Sequence, residues 1–320
     1  MKAMRVTTPG GPDAMVYEDV PVPTPGAGQV LVRVEAAGIN FADVNMRRGR
    51  GTFPAIVGQE AAGVVEALGP EVTGVRAGDR VAYTGAPGAY AEQAVVPAAR
   101  LVPVPAGLTT KVAAAALLQG MTAHYLACST YPLGPNDTCI VHAAAGGVGL
   151  LLCSIAKRRG ARVIGTVSTE EKAKAAREAG ADEVIIYTQT DFAEAAKRLT
   201  NGRGVDVIYD GVGKTTFLKG FDCLRLRGMM VQYGAASGDV DPVETALLNA
   251  KGSLYLTRAN LGNYTATREE LLQRSGEVFA WAASGELKVR IYREYPLREA
   301  ARAHAALEQR ETIGKLILVP

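Results

Sequence analysis

The stretch His142-Ala143-Ala144-Ala145-Gly146-Gly147-Val148-Gly149 constrains this 320-residue chain more than any other. It is entered from the apolar run Cys139-Ile140-Val141 and left through Leu150-Leu151-Leu152, which predicts a strand, a tight turn and a helix. A β-carbon on such a turn keeps a phosphate away from the backbone N–H groups at the helix N-terminus, and glycine at 146, 147 and 149 removes that obstruction. Gly146, Gly147 and Val148 are therefore the expected pyrophosphate contacts. The stretch departs from the G-x-G-x-x-G pattern because Ala144 takes the first glycine position, and an ordinary strand-to-helix turn is the alternative.

Beyond an amphipathic helix, Arg162-Val163-Ile164-Gly165-Thr166-Val167 reads as a second strand, so the unit is β-α-β. Enzymes that use NADH place Asp or Glu at the tip of this strand to bind the ribose 2′-hydroxyl. Here the chain runs Ser168-Thr169-Glu170-Glu171-Lys172, with no acid at the tip itself. The Ser168 hydroxyl and the Lys172 ammonium suit a 2′-phosphate, which a carboxylate would repel. NADPH is the expected cofactor. The alternative makes Ser168 a helix N-cap and Lys172 a solvated helix residue, and Glu171 counts against a phosphate.

A chain of 320 residues and 33.5 kDa exceeds what one core ordinarily fills, so two domains are expected. An apolar fraction of 48% supports large cores, and a formal charge of only +3 gives nucleic-acid binding no support. The opening Met1-Lys2-Ala3-Met4-Arg5-Val6 lacks the apolar core of a signal peptide, and no apolar run approaches a membrane span. A soluble, cytoplasmic protein is expected. Cys128, Cys139, Cys153 and Cys223 lie in apolar contexts without paired spacing and read as buried thiols, not disulfides or metal ligands.

Up to about residue 105 the chain is rich in Gly, Pro and Val, with β-like runs at 29–34, 63–67 and 80–83, a β-barrel texture. From about residue 111 it turns to alanine-rich helix, at 111–119 and again at 122–128, and then to alternating strands and helices. That alternation predicts a parallel, doubly wound sheet, with later strands at 183–187, 205–209 and 228–233 and helices at 169–179, 192–199 and 216–224. A helix at 297–309 and a strand at 315–319 close the chain. This strand has no obvious place in the parallel sheet, so the tail is expected to return to the first domain.

Five segments then line up along the whole length: Ala37-Gly38-Ile39-Asn40-Phe41-Ala42-Asp43, Gly58-Gln59-Glu60-Ala61-Ala62-Gly63, Gln119-Gly120-Met121-Thr122-Ala123, His142 to Gly149, and Leu248-Asn249-Ala250-Lys251-Gly252-Ser253-Leu254. With them the chain resembles the quinone oxidoreductase and zeta-crystallin branch of the medium-chain dehydrogenase/reductase superfamily. The resemblance implies an α/β fold: a Rossmann doubly wound parallel sheet, residues 122–258, inserted into a GroES-like β-barrel-type catalytic domain, residues 1–121 and 259–320. It also implies a nicotinamide cleft and a homodimer joined through the Rossmann sheet.

Zinc-dependent members of that superfamily carry Cys where Asn40 stands, His where Gln59 stands and Cys near Leu118, so the resemblance implies that the catalytic metal is lost. The cysteine-rich lobe that binds a structural zinc is missing too. Asn40, Asp43, Gln59 and Thr122 become cleft candidates, with structural roles as their alternative. By the same resemblance Tyr125 lies at the cofactor cleft, Tyr187 and Arg310 join Ser168 and Lys172 around the 2′-phosphate, and Gly234 and Ser237 lie by the nicotinamide ribose. Core packing, surface exposure and an ordinary strand exit are the respective alternatives. Three arginines in Arg47-Arg48-Gly49-Arg50 offer attraction for an anionic substrate such as an acyl-CoA, or are simply solvated.

No arrangement of His, Cys or Ser points to covalent chemistry, and no side chain is assigned as general acid. Without a Lewis acid the acceptor must already be activated. The expected activity is hydride transfer from NADPH to a quinone or enone. A 2-alkenal or enoyl-thioester reductase is the alternative enzyme, and a non-catalytic, crystallin-like NADPH-binding protein is the alternative of another class.

Overall fold

The structure, a computed structural model, describes residues 1–320. The chain forms two compact units, Met1–Met121 with Thr265–Pro320, and Thr122–Tyr264.

The second unit is built on six strands: β1 (Thr138–His142), β2 (Arg162–Val167), β3 (Glu183–Ile186), β4 (Val205–Asp210), β5 (Leu224–Gln232) and β6 (Tyr255–Arg258). They pair in the order β3-β2-β1-β4-β5-β6, every pair parallel. This is the doubly wound order, and its direction reverses at β1, where such sheets bind ligands beyond the carboxyl ends of the strands. Register places Ile164, Ile140, Ile208 and Met230 in one row across four strands. All four are fully buried, against a layer that includes Phe192, Phe217 and Phe221. Each such side chain contributes about 1.5–3 kcal/mol by leaving water.

The first unit holds a seven-stranded sheet and a three-stranded one. The order of the larger is Ile291–Pro296, Lys315–Val319, Gln29–Gly38, Glu60–Leu68, Arg80–Thr84 and Val102–Pro103, with Gln93–Pro97 also pairing to Gln29–Gly38. Lys315–Val319 runs antiparallel to the end of Gln29–Gly38, so the tail of the chain closes on its beginning.

Several elements differ from the sequence reading. Residues 111–119 and 122–128 belong to one helix, Thr110–Tyr125, continued by the wider turn Leu126–Thr130. Gly120 does not interrupt it: a β-carbon there would lie 2.5 Å from Val278 Cγ1, so this glycine admits a neighbouring helix. That neighbour, Arg268–Ala283, was not anticipated, although Thr267 and Glu270 form a capping box at its start. The helix after β4, Phe217–Gly220, tightens into the turn Phe221–Cys223 and stops there because Leu224 already belongs to β5. β5 begins four residues before the expected position and passes through an irregularity marked by Arg227 at φ 56°.

Candidate active site

The turn after β1 is made by backbone alone. Ala143 takes a left-handed conformation, φ 51°, and its carbonyl accepts the Gly146 N–H at 2.8 Å. Gly146 caps the helix Gly147–Arg158 without a side-chain hydrogen bond. The first bond into the helix runs from Leu150 N–H to the Gly146 carbonyl, 2.9 Å, so the N–H groups of Gly147, Val148 and Gly149 have no acceptor within it. Such donors at a helix N-terminus, with Gly147 and Val148 half-buried and Gly149 buried, fit a diphosphate. Gly149 is fixed by close packing, since a β-carbon there would come within 2.3 Å of the Ala143 carbonyl oxygen. The missing first glycine is compensated on β2: Gly165 has no β-carbon, and one would lie 2.9 Å from that of Ala144.

At the tip of β2 the N-cap is Thr169, not Ser168. The Thr169 hydroxyl accepts the Lys172 N–H at 3.3 Å. The Ser168 carbonyl accepts the Thr188 hydroxyl at 2.9 Å, while Tyr187 N–H donates to the Val167 carbonyl at 3.0 Å. Ser168, Lys172 and Tyr187 are thereby gathered at the carboxyl ends of β2 and β3. Tyr187 is 41% exposed and Glu171 faces solvent.

Gly234 and Ser237 follow β5. A β-carbon on Gly234 would lie 2.6 Å from the Gly211 carbonyl oxygen, so glycine lets two strand exits touch. The Ser237 hydroxyl donates to the Val212 carbonyl at 2.8 Å and accepts the Thr215 N–H at 3.1 Å. Asp210 holds the same loop, accepting from the N–H groups of Val212 and Gly213 and from the Thr216 hydroxyl. Ser237 is committed to shaping this loop.

In the first unit, Asn40 is the hub of a buried polar network. Its Oδ1 accepts from Lys315 Nζ at 2.7 Å and from Gln119 Nε2 at 3.2 Å, while its Nδ2 donates to Glu60 Oε2 at 2.9 Å. Lys315 Nζ also donates to Glu60 Oε2 at 2.7 Å, and Glu60 Oε1 accepts the Leu118 N–H at 2.5 Å. Lys315 and Glu60 are shielded almost completely from solvent. The sequence reading missed Glu60, Lys315 and Gln119; a lysine heading the apolar strand Lys315–Val319 was the available signal. Gln59 is half-buried, and its carbonyl accepts the Gly85 N–H at 2.9 Å.

These positions do not fit a zinc ion. The Asn40 oxygen already faces an ammonium, which a dication would have to displace, and Leu118 has no donor side chain.

Two families match: "Alcohol dehydrogenase GroES-like domain" over residues 26–106 and "Zinc-binding dehydrogenase" over residues 147–275. A quinone oxidoreductase of Pseudomonas aeruginosa is 43% identical over 323 residues, covering 100% of this chain and 99% of its own. The chain belongs to the quinone oxidoreductase branch of the medium-chain dehydrogenase/reductase superfamily. Escherichia coli quinone oxidoreductase, solved in complex with NADPH, shares 42% identity and a TM-score of 0.98, with full coverage of both chains. A 2-haloacrylate reductase of a Burkholderia species is 44% identical over 321 residues, covering 97% of this chain and 96% of its own.

Within this quinone oxidoreductase fold the remaining candidates divide. Thr122 and Tyr125 are buried, and the Tyr125 ring stacks on Tyr264, centroids 4.2 Å apart and planes 5° from parallel. Arg310 is an exposed residue in left-handed conformation, φ 60°, just past the helix Ala300–Glu308. Asp43 is wholly buried: its Oδ2 accepts the Asn40 N–H at 2.8 Å and the Tyr90 hydroxyl at 3.0 Å, and its Oδ1 has no partner. Burial pushes its carboxyl up to about 7 against the pull of those bonds and of Lys315. The Tyr90 hydroxyl also meets His304 Nε2 at 3.0 Å, and burial, with Arg47 nearby, pushes that imidazole down to about 3. Tyr90 and His304 were not anticipated. Arg47 is buried against Glu308, and Arg48 lies 3.3 Å from the same carboxylate. The loop therefore does not present three free arginines to an anionic substrate.

Proposed function

We propose that this protein is an NADPH:quinone oxidoreductase that works without zinc. The glycine-built helix N-terminus after β1, which has no side-chain cap, carries the reading, supported by the carboxylate-free tip of β2 and by the NADPH complex of the related Escherichia coli enzyme. Gly146, Gly147 and Val148 hold the diphosphate. Ser168, Lys172, Tyr187 and Arg310 read the 2′-phosphate, and Gly234 and Ser237 shape the ribose end. Asn40, Asp43, Gln59, Thr122 and Tyr125 serve the nicotinamide end. Of these, Asn40 and Asp43 act as positioning residues, since their bonds are made within the chain. Residues 122–258 are the cofactor domain and residues 1–121 with 259–320 the catalytic domain.

Bound NADPH supplies the hydride. The chain's own contribution is to orient the reactants and exclude water, which suffices for an acceptor that is already electron-poor. No side chain is assigned as a proton donor, and water delivers protons to the reduced acceptor.

The protein is further proposed to be a cytoplasmic homodimer. No helix is long and apolar enough to cross a membrane. Edge strand β6 leaves its outer backbone groups unpaired, with Tyr255 58% and Leu256 38% exposed, which favours pairing with a second copy.

The Burkholderia relative favours one second reading, reduction of an activated carbon–carbon double bond as in 2-alkenals or enoyl thioesters. Stopped-flow oxidation of NADPH against quinones, alkenals and enoyl-CoAs separates the two. Fastest turnover with quinones supports the first reading, faster turnover with enones or enoyl-CoAs the second. NADPH binding without turnover on any of them overturns both in favour of a crystallin-like role.

A further inference from the structure

An ammonium has only donors and a carboxylate bonded to it only acceptors. The Asn40 atom 2.7 Å from Lys315 Nζ must therefore be the amide oxygen, and the atom 2.9 Å from Glu60 Oε2 the amide nitrogen. Amide orientations are often ambiguous, but two charged groups fix this one. Its oxygen also faces Gln119 at 3.2 Å, so Gln119 must present its nitrogen there and turn its oxygen the other way. That oxygen, Gln119 Oε1, is buried and has no hydrogen-bond partner. An acceptor sealed from water without a donor is destabilising, and a methionine of similar shape would remove the cost. Gln119 is half-buried, as is Thr130 with its orphaned hydroxyl, whereas Asp43, Arg47, Tyr83, His142 and His304, which also carry orphaned atoms, are sealed.

We infer that Gln119 is a specificity-determining residue whose Oε1 accepts a hydrogen bond from a neutral N–H or O–H of a bound small molecule. The inference deepens the proposed NADPH:quinone oxidoreductase reading and rests on it. Two donors in that reaction have the required chemistry, the carboxamide N–H of the nicotinamide and the hydroxyl of the reduced acceptor. The quinone itself, having only carbonyl acceptors, does not.

The test compares wild type with Gln119→Met on two ligand pairs. Calorimetry gives Kd for NADPH and for its reduced 3-acetylpyridine analogue, in which a methyl replaces the amide nitrogen. Inhibition constants are measured for a hydroquinone and for its dimethyl ether. Wild type should favour the donor-bearing member of one pair by about three- to tenfold, the range of a neutral hydrogen bond. Gln119→Met should bring that ratio close to one while leaving binding of the donor-less member unchanged. Collapse in the cofactor pair assigns the carboxamide, and collapse in the other assigns the reduced acceptor. A folded variant with both ratios unchanged overturns the inference. If Gln119→Met does not fold, Gln119→Asn, one methylene shorter, should lose the same ratio, and keeping it overturns the inference equally. Failure of wild type to bind NADPH at all overturns the underlying reading as well, so the two failures are distinct.

Discussion

Lys315 and Glu60 stand 255 positions apart in the sequence and 2.7 Å apart in the fold. The pair joins the strand that ends the chain to the segment that follows Gln59, and through Glu60 it reaches the backbone of Leu118. An internal ammonium thus ties Asn40 and Glu60 together and, through Glu60, the backbone at Leu118.

Removing one partner of a buried pair leaves the other charge uncompensated. Lys315→Met should lower unfolding stability by about 3–5 kcal/mol in urea titrations, and adding Glu60→Gln should recover most of the loss. A single variant within about 0.5 kcal/mol of wild type, inside the range of ordinary surface substitutions, contradicts this account of the network.

Asp43 gives a pH signature. Its carboxyl is raised from 3.8 to about 7 in the fold, so between those values the folded chain holds a proton that the unfolded chain has lost. Stability contributed by this group is complete below about pH 4 and falls as pH rises through 7. Asp43→Asn keeps an acceptor for Asn40 and Tyr90 without the charge. Its melting temperature should gain on wild type as pH rises from about 5 to 8. A difference constant across that window contradicts the shift.

At the adenine end, Lys172→Ala should reduce the preference for NADPH over NADH by about 1–3 kcal/mol, the worth of a charge-assisted hydrogen bond. Binding titrations with both cofactors decide it. Equal weakening of the two would assign Lys172 to the fold and not to the phosphate.

The protein should keep its activity after treatment with a strong chelator, and elemental analysis should find far less than one zinc per chain. About one zinc per chain, with activity lost on its removal, contradicts the reading of positions 40, 59 and 118.

Much of the second unit was legible because its strands are continuous apolar runs. β2, Arg162–Val167, falls where the residues alone put it, and so does the helix Phe192–Leu199. Helix Arg268–Ala283 was hidden because Arg274 and Ser275 are buried beside Leu271, Val278 and Phe279, which breaks the apolar period. Gly120 reads as an interruption until the helix that needs its missing β-carbon is known. At the site, the glycine turn is a local signal carried by neighbouring residues. The links of Asn40 to Glu60 and Lys315, and of Asp43 through Tyr90 to His304, are long-range contacts with no fixed spacing, and only the fold makes them visible.

Gly147→Val tests whether the turn after β1 holds the diphosphate of NADPH. Gly147 opens a regular helix, so valine there adds bulk where the diphosphate approaches without demanding an unusual backbone. With a circular-dichroism spectrum and melting temperature near wild type as the control, the Kd for NADPH should rise at least about tenfold, a loss of about 1.4 kcal/mol. A folded Gly147→Val protein that binds NADPH as tightly as wild type would mean that the cofactor is held elsewhere.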